Sequence, residues 1–219
     1  MPSSRLPATL HLIDPARWEV AEARLLVTPA ELAQADRFVF PADRDRWLKF
    51  RAATRRILAT YLDADPTGLQ WLTGEHGKPY LAGHPLHFNL SHSESLAILI
   101  VSESGPVGID IEPTSRAPTL LGCEEHFCHP GEIFRLPAEP AARAAELLRI
   151  WTAKEAVLKA LGTGMSQPPQ EIEVIDDRCL GPAAGLDRFR LDRPPIPDRT
   201  DHLIAIAREI HAPPSIWAQ

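Results

Sequence analysis

The sequence predicts an α+β protein built from two consecutive halves, and three observations predict it. Segments of helical and of strand periodicity follow one another in the same order twice, helices and then strands. Two stretches of about twenty residues, 43–62 and 140–161, carry apolar side chains at helical spacing and are too long for strands. Short aliphatic runs beside them are bounded by Gly, Pro and small polar residues, as strands are. Gly105-Pro106 divides the chain into residues 1–104 and 105–219. The letters themselves show no internal repeat, so the two halves rest on element order alone.

Taken in order, "LHLI" at 10–13 opens the chain as a strand. "TPAELAQADRFV" follows as a helix, with Thr28 as cap, Pro29 in the first turn and Glu31 three residues after the cap. The spacing predicts a longer helix over 43–62, its buried stripe made by Trp47, Phe50, Thr54, Ile57, Leu58 and Tyr61, with "DADPTG" ending it. "HFNLSHS" (87–93) and "LAILIVS" (96–102) read as a hairpin. After a strand at 107–112 comes a Pro-interrupted helical region, 118–136. The second long helix, 140–161, has Ile150, Ala153, Val157 and Leu161 as its stripe and Gly162 and Gly164 as its stop. "EIEVI", "RFRL" and "HLIAIAR" supply the remaining strands.

Composition narrows the function. Hydrophobic residues are 44% and charged residues 24% of 219, which is ordinary for a globular chain with a real core. A formal net charge of −6 argues against general nucleic-acid binding. Twenty-two prolines indicate stiffened loops. No apolar run approaches the ~20 residues that span a bilayer, and "MPSSRLPATLHLIDPARW" lacks the apolar stretch of a signal peptide, so the expected location is cytoplasmic. Three cysteines make no disulfide framework. Cys123, His126, Cys128 and His129 are zinc-ligand types, but all four lie within seven residues, and a helix end with incidental Cys and His explains them more simply. Asn89-Leu90-Ser91 fits a glycosylation sequon that a cytoplasmic chain would not use.

Chemistry concentrates in "GPVGIDIEP", residues 105–113. Asp110 and Glu112 interrupt an aliphatic strand and stand two apart, so both carboxylates share one face. A hard divalent cation such as Mg²⁺ would remove their repulsion, whereas a solvated edge strand would need no ion. On the second long helix, Glu155 and Lys159 are four apart beside Trp151. A surface pair would be unremarked there; a half-buried one needs partners, which a metal and a phosphate supply. Between residues 33 and 62, Arg37, Arg44, Arg46, Lys49, Arg51, Arg55 and Arg56 face only three aspartates. One confined basic patch in an acidic chain fits a small, multiply phosphorylated ligand, with Lys78 and His92 as further donors.

"GKPYL", "HFNLSHS", "VGIDIEP" and "WTAKEAVLKALGTG", in that order and spacing, together resemble the 4′-phosphopantetheinyl transferases of the longer, single-chain, surfactin-synthetase-activating type. "RFVFPADRDRW" is similar to a further signature, and the resemblance runs from about residue 30 to 175. It implies two similar α/β halves in a pseudo-twofold arrangement with the active site between them, in a monomer. It implies a holo-[acyl-carrier-protein] synthase, moving the phosphopantetheine arm of coenzyme A onto a carrier serine and releasing adenosine 3′,5′-bisphosphate. Asp110, Glu112 and Glu155 would coordinate Mg²⁺ or Mn²⁺. Lys78, Ser91 and His92 would contact the coenzyme's phosphates, with Arg46 near the 3′-phosphate, Lys159 facing the pyrophosphate, Lys154 close by and Glu132 near the metal. Glu31 and Gln34 stand where such enzymes can carry lysines, leaving Arg37 or Arg46 to compensate. The chemistry independently asks for a carboxylate to take the serine proton, assigned to Glu155, and a cation at the leaving group, assigned to Lys159. The expected partners are coenzyme A and an apo acyl or peptidyl carrier, with no nucleic acid and no membrane. Two rivals use overlapping residues: a Mg²⁺-dependent pyrophosphohydrolase of coenzyme A or nucleotides, and a non-catalytic module that binds coenzyme A or a carrier.

Overall fold

The computed structural model describes residues 8–93, 96–209 and 216–217. The first half runs β1 (Thr9–Ile13), α1 (Val20–Leu25), α2 (Pro29–Ala35), α3 (Pro41–Leu62), β2 (Trp71–Thr73), β3 (Pro79–Leu81), β4 (His87–His92) and β5 (Ala97–Ser102). The second runs β6 (Val107–Pro113), α4 (Glu124–Phe127), α5 (Pro130–Arg135), α6 (Pro140–Leu161), β7 (Glu173–Ile175), β8 (Arg178–Leu180), β9 (Phe189–Asp192) and β10 (His202–Glu209), followed by β11 (Ile216–Trp217). Among the described residues no helix is long and apolar enough to cross a membrane.

The helix signals act where the sequence puts them. Thr28 Oγ1 accepts from the Glu31 amide at 3.3 Å while Glu31 Oε2 accepts from the Thr28 amide at 2.8 Å, closing a capping box on α2. Helix α3 begins two residues earlier than its periodicity predicts, because Pro41 occupies a first-turn position that needs no N–H. Helix α6 is capped by Glu139, whose carboxylate accepts from Ala141 and Ala142. It ends at Gly162, which takes the left-handed conformation (φ 78°) that glycine adopts most cheaply. The region predicted as helical over 118–136 is broken instead into a 3₁₀ turn over Thr114–Leu120 and the short α4 and α5, since its prolines interrupt any longer ladder.

Strand order shows the duplication that element order implies. In the first half β1 lies beside β5, and β5 beside β4; in the second β6 lies beside β10, and β10 beside β9. Each half thus pairs its first strand with its last, on either side of one long helix. The hairpin β2–β3 stands apart as a ribbon, whereas β7–β8 extends the second sheet. Strand β11 returns to the first half and pairs in parallel with β1.

Alternation along the inner strands decides which face meets what. Leu10, Ile98 and Ile100 pack with Val107, Ile109, Ile111, Ile204 and Ile206 in an aliphatic core shared by the two halves. On the opposite faces, Leu99 and Val101 join Phe50, Ala53 and Leu58 of α3, while Ala205 and Ala207 join Ala153, Ala156, Val157 and Ala160 of α6. The face of β6 that meets α6 therefore carries Gly108, Asp110 and Glu112. A Cβ on Gly108 would stand on the backbone of Ala156 and Ala160, so this glycine sets how near the helix lies. Replacing Gly108 with Ala should lower stability by about 1–3 kcal/mol, because backbone cannot swing aside. Urea unfolding of Gly108→Ala beside Gly68→Ala, whose new Cβ would have Asp65 Cβ at 3.8 Å as its nearest neighbour, checks this; equal small losses would contradict it.

Candidate active site

Helix α6 runs antiparallel along β6. Gly108 lies under Ala160 and Ala156, Asp110 meets Lys159, and Glu112 meets Trp151. Asp110 is 5% exposed; its Oδ1 accepts from Lys159 Nζ at 2.6 Å and from Ser91 Oγ at 3.0 Å. Lys159 Nζ also reaches Ser91 Oγ at 3.2 Å. Glu112 Oε1 accepts from the Trp151 indole N–H at 3.1 Å and is paired with Arg116. The carboxylate of Glu155, one turn from both Trp151 and Lys159, has no hydrogen bond or ion pair among the described residues.

Burial, and then Asp110's charge, raise the Glu112 carboxyl above its ordinary range. Burial raises Glu155 as well, with Asp110 and Glu112 adding to it against the opposing pull of Lys159. The three carboxylates thus act on one another through space, as convergent groups do. Asp110 Oδ2 is buried and without a hydrogen-bond partner, a costly state for a carboxylate oxygen. An all-oxygen donor set of this kind, with one buried oxygen unclaimed, fits a hard divalent cation. Among the described residues no three His, Cys, Asp or Glu side chains form a ready metal cage. Here Lys159 and Arg116 hold the carboxylates that such a cage would use.

The first half is laced to the second beside this cluster. Asn89 Oδ1 accepts from the Ile109 amide at 2.9 Å, and Ser91 Oγ from the Ile111 amide at 3.2 Å. Both side chains of the sequon-like triplet thereby serve as acceptors for the free edge of β6. A cavity of about 560 Å³ opens between the halves, with Arg46, His92 and Ser93 on one side and Glu112, Ser115 and His202 on the other. His92 stacks on Phe50, ring centroids 5.5 Å apart, and borders a second cavity of about 370 Å³ with Phe38, Trp47, Arg46 and Arg51. Ser93 Oγ meets His202 Nε2 at 3.0 Å, and His202 Nδ1 meets Asp201 at 2.9 Å. This chain ties the β4–β5 turn to the start of β10. Ser93 offers no oxyanion donor of its own, since its amide is spent on the Leu96 carbonyl, so the array is a tie across the cavity. Sequence reasoning missed it because Ser93 and His202 are 109 residues apart.

Arg46, His92 and Glu112 therefore line one cleft, with the linked Asp110, Ser91 and Lys159 beside it and Glu155 within electrostatic reach. Four other expected residues are placed differently. Lys154 and Glu132, at 0% and 2% exposure, are paired with each other at 2.6 Å. Lys154 Nζ also donates to the Phe127 and Pro169 carbonyls, so all three of its hydrogens are spent. Glu132 accepts from the His129 and Val174 amides. The pair is a buried strut under α6 and has nothing left to offer a metal or phosphate. Lys78 Nζ donates to the Val107 and Ala160 carbonyls, tying the first half to β6 and α6, and burial lowers its pKa to about 8. One hydrogen remains to it. Arg37 is exposed and lines neither cavity.

The basic helix is also less available than its composition suggests. Arg44 and Arg46 pair with Asp45 and Asp43, and Arg56 with Glu22. Arg51 and Arg55 converge on Glu31, which is 5% exposed and joins α2 to α3. Glu31, expected as a departure from a phosphate-binding lysine, is thus a buried anchor. In the Cys/His segment, Cys128 is buried, burial pushing its thiol up to about 12, and His129 Nδ1 caps α5 by accepting from Gly131.

Two family models match this chain: one described as the 4'-phosphopantetheinyl transferase superfamily over residues 106–207, the other as 4'-phosphopantetheinyl transferase, N-terminal, over 13–104. The chain is similar to 4'-phosphopantetheinyl transferase HetI of Nostoc sp., with 34% identity over 167 residues that make up 74% of this chain and 70% of the relative. It is also similar to 4'-phosphopantetheinyl transferase Sfp of Bacillus subtilis, 29% identical over 150 residues, 68% of this chain and 66% of the relative. In relatives from Synechocystis sp. and Bacillus subtilis the match spans 59% and 61% of the relative's own length. The two-half α+β fold with a carboxylate and lysine cleft defines a class. The chain belongs to the 4'-phosphopantetheinyl transferase superfamily.

If the Lys154–Glu132 pair is a strut, Lys154→Met should cost about 3–5 kcal/mol of stability, the usual penalty for stranding a buried charge. Chemical denaturation checks it. A Lys154→Met protein of normal stability that had lost only activity would return Lys154 to the active site.

Proposed function

We propose that this chain transfers the 4′-phosphopantetheine arm of coenzyme A to a serine of an apo acyl, peptidyl or related carrier protein, releasing adenosine 3′,5′-bisphosphate. Family membership supports the activity. The observation that supports the site assignment is the buried Asp110 oxygen left unclaimed, beside Lys159 and within electrostatic reach of Glu112 and Glu155. In this reading residues 1–104 supply the coenzyme-binding side of the cleft and residues 105–219 the acidic side.

Asp110, Glu112 and Glu155 would hold Mg²⁺ or Mn²⁺. When bound, the cation supplies neutralising charge for the coenzyme's pyrophosphate and for the nucleotide that leaves. The remaining work falls to side chains. Arg46 and His92, together at the wall of both cavities, would grip coenzyme phosphates. Glu155, the carboxylate free of partners and raised by burial, is suited to take the proton of the attacking serine. As the new O–P bond forms, the bond to the bridging oxygen breaks and negative charge gathers there. Lys159 would stabilise that charge. A proton acceptor and a cation one helical turn apart on a single rigid helix keep a fixed spacing.

The expected result is that intact-mass measurement of a panel of apo-carriers, after incubation with coenzyme A and Mg²⁺, shows at least one gaining the arm. Glu155→Gln should lose at least about a hundredfold in turnover while its thermal unfolding is unchanged. Near-full activity of Glu155→Gln in saturating Mg²⁺ would refute the base assignment. Turnover of coenzyme A with no carrier present would favour a pyrophosphohydrolase, and binding without Mg²⁺ dependence or mass gain would favour a non-catalytic module.

A further inference from the structure

Each carboxylate of the cleft that is paired is paired to a different kind of cation. Lys159 is tied into Asp110 and Ser91 together and extends from the middle of the site. Arg116 comes from outside it, on the 3₁₀ turn over Thr114–Leu120, four residues after Glu112. Its side chain is 38% exposed against 13% for Glu112, and Glu112 is its sole ion-pair partner among the described residues. Glu112 does not need Arg116 to stay in place. The Trp151 indole donates to the same oxygen, and Trp151 is itself wedged edge-on against Phe127, ring centroids 5.3 Å apart. The carboxylate is thus fixed by a rigid donor and neutralised by a more exposed one, whose guanidinium also lies 5.4 Å from the Trp151 ring centroid.

We propose that Arg116 is a displaceable counter-cation: its guanidinium occupies on Glu112 the place that a divalent cation takes, leaves when the ion binds, and is then free to receive a phosphate oxyanion at the mouth of the cleft. The proposal rests on the reading of Asp110, Glu112 and Glu155 as the ion's carboxylates. Three carboxylates facing two cations form a cluster one charge short of neutral. Exchange of one guanidinium for a doubly charged ion brings the cluster to neutrality and leaves the guanidinium's own positive charge beside it at the moment an anionic substrate is needed. A released guanidinium presents a planar fork of donors that matches phosphate oxygens. Ser115, its neighbour in the chain, already lines the cavity between the halves. Arg116 acts on the ion through Glu112 and on the phosphate directly.

The test is calorimetric titration of the full chain with Mn²⁺ alone, in about 0.5 M salt so that long-range charge is screened to a few ångströms. Arg116→Gln should bind Mn²⁺ roughly tenfold more tightly than the wild type, the scale of one charged hydrogen bond no longer to be broken. Arg116→Lys should lie between them. Equal or weaker binding by Arg116→Gln overturns the proposal. Asp110→Asn is titrated in parallel: if it binds as the wild type does, or if no variant binds Mn²⁺, the carboxylate reading fails and this proposal falls with it. Inorganic pyrophosphate then reports the released group. With Mn²⁺ present the wild type should bind it several-fold more tightly than Arg116→Gln, and without Mn²⁺ the two should bind alike. A difference missing with the ion, or as large without it, contradicts release.

Discussion

One missing methyl group sets the geometry on which the site depends. Gly108 lets the backbone of α6 rest on β6, with Ala156 and Ala160 as the facing positions. From that contact, Asp110 comes within reach of the long Lys159 side chain, and Glu112, further along the strand, within reach of Trp151. A side chain at residue 108 would lift the helix from the strand and separate every one of these pairs. The small residues on α6 are therefore as much a part of the site as its charges.

The same strand is held from its other edge. Strand β6 pairs with β10 on one side, and its outward amides at Ile109 and Ile111 are claimed by Asn89 and Ser91 of β4. Ordinary strand pairing there would leave no room for side chains. Substituting two polar side chains for a backbone ladder joins the halves and places Ser91 against Asp110 and Lys159 at once. The shared aliphatic core of Ile98, Ile100, Ile109, Ile111 and Ile206 fixes the halves, and the polar edge positions the chemistry. An acidic group aimed at a helix and a hydroxyl aimed at the same acid are consequences of one arrangement.

Much of this was legible because it is periodic. Alternation placed Asp110 and Glu112 on one face of β6. Spacing placed Glu155 and Lys159 together on α6, and the Thr28–Glu31 capping box was visible as letters. What escaped the sequence depends on pairing between distant residues. Lys154 and Glu132 look like catalytic charges in sequence, yet they satisfy one another and four backbone groups in the core. Glu31 gives no sign that Arg51 and Arg55, twenty or more residues away, converge on it. The basic patch on α3 looks more available in sequence than it is, because composition counts residues and not partners. The three-residue strands β2, β3 and β8 are too short to show a period.

The account stands on three carboxylates sharing one ion beneath α6. The most direct measurement is an anomalous difference map from crystals of the protein grown with Mn²⁺ and coenzyme A. It should show one peak within about 2.2 Å of an oxygen from each of Asp110, Glu112 and Glu155. A fully occupied ion bound elsewhere, with Lys159 and Arg116 still on their carboxylates, would contradict it.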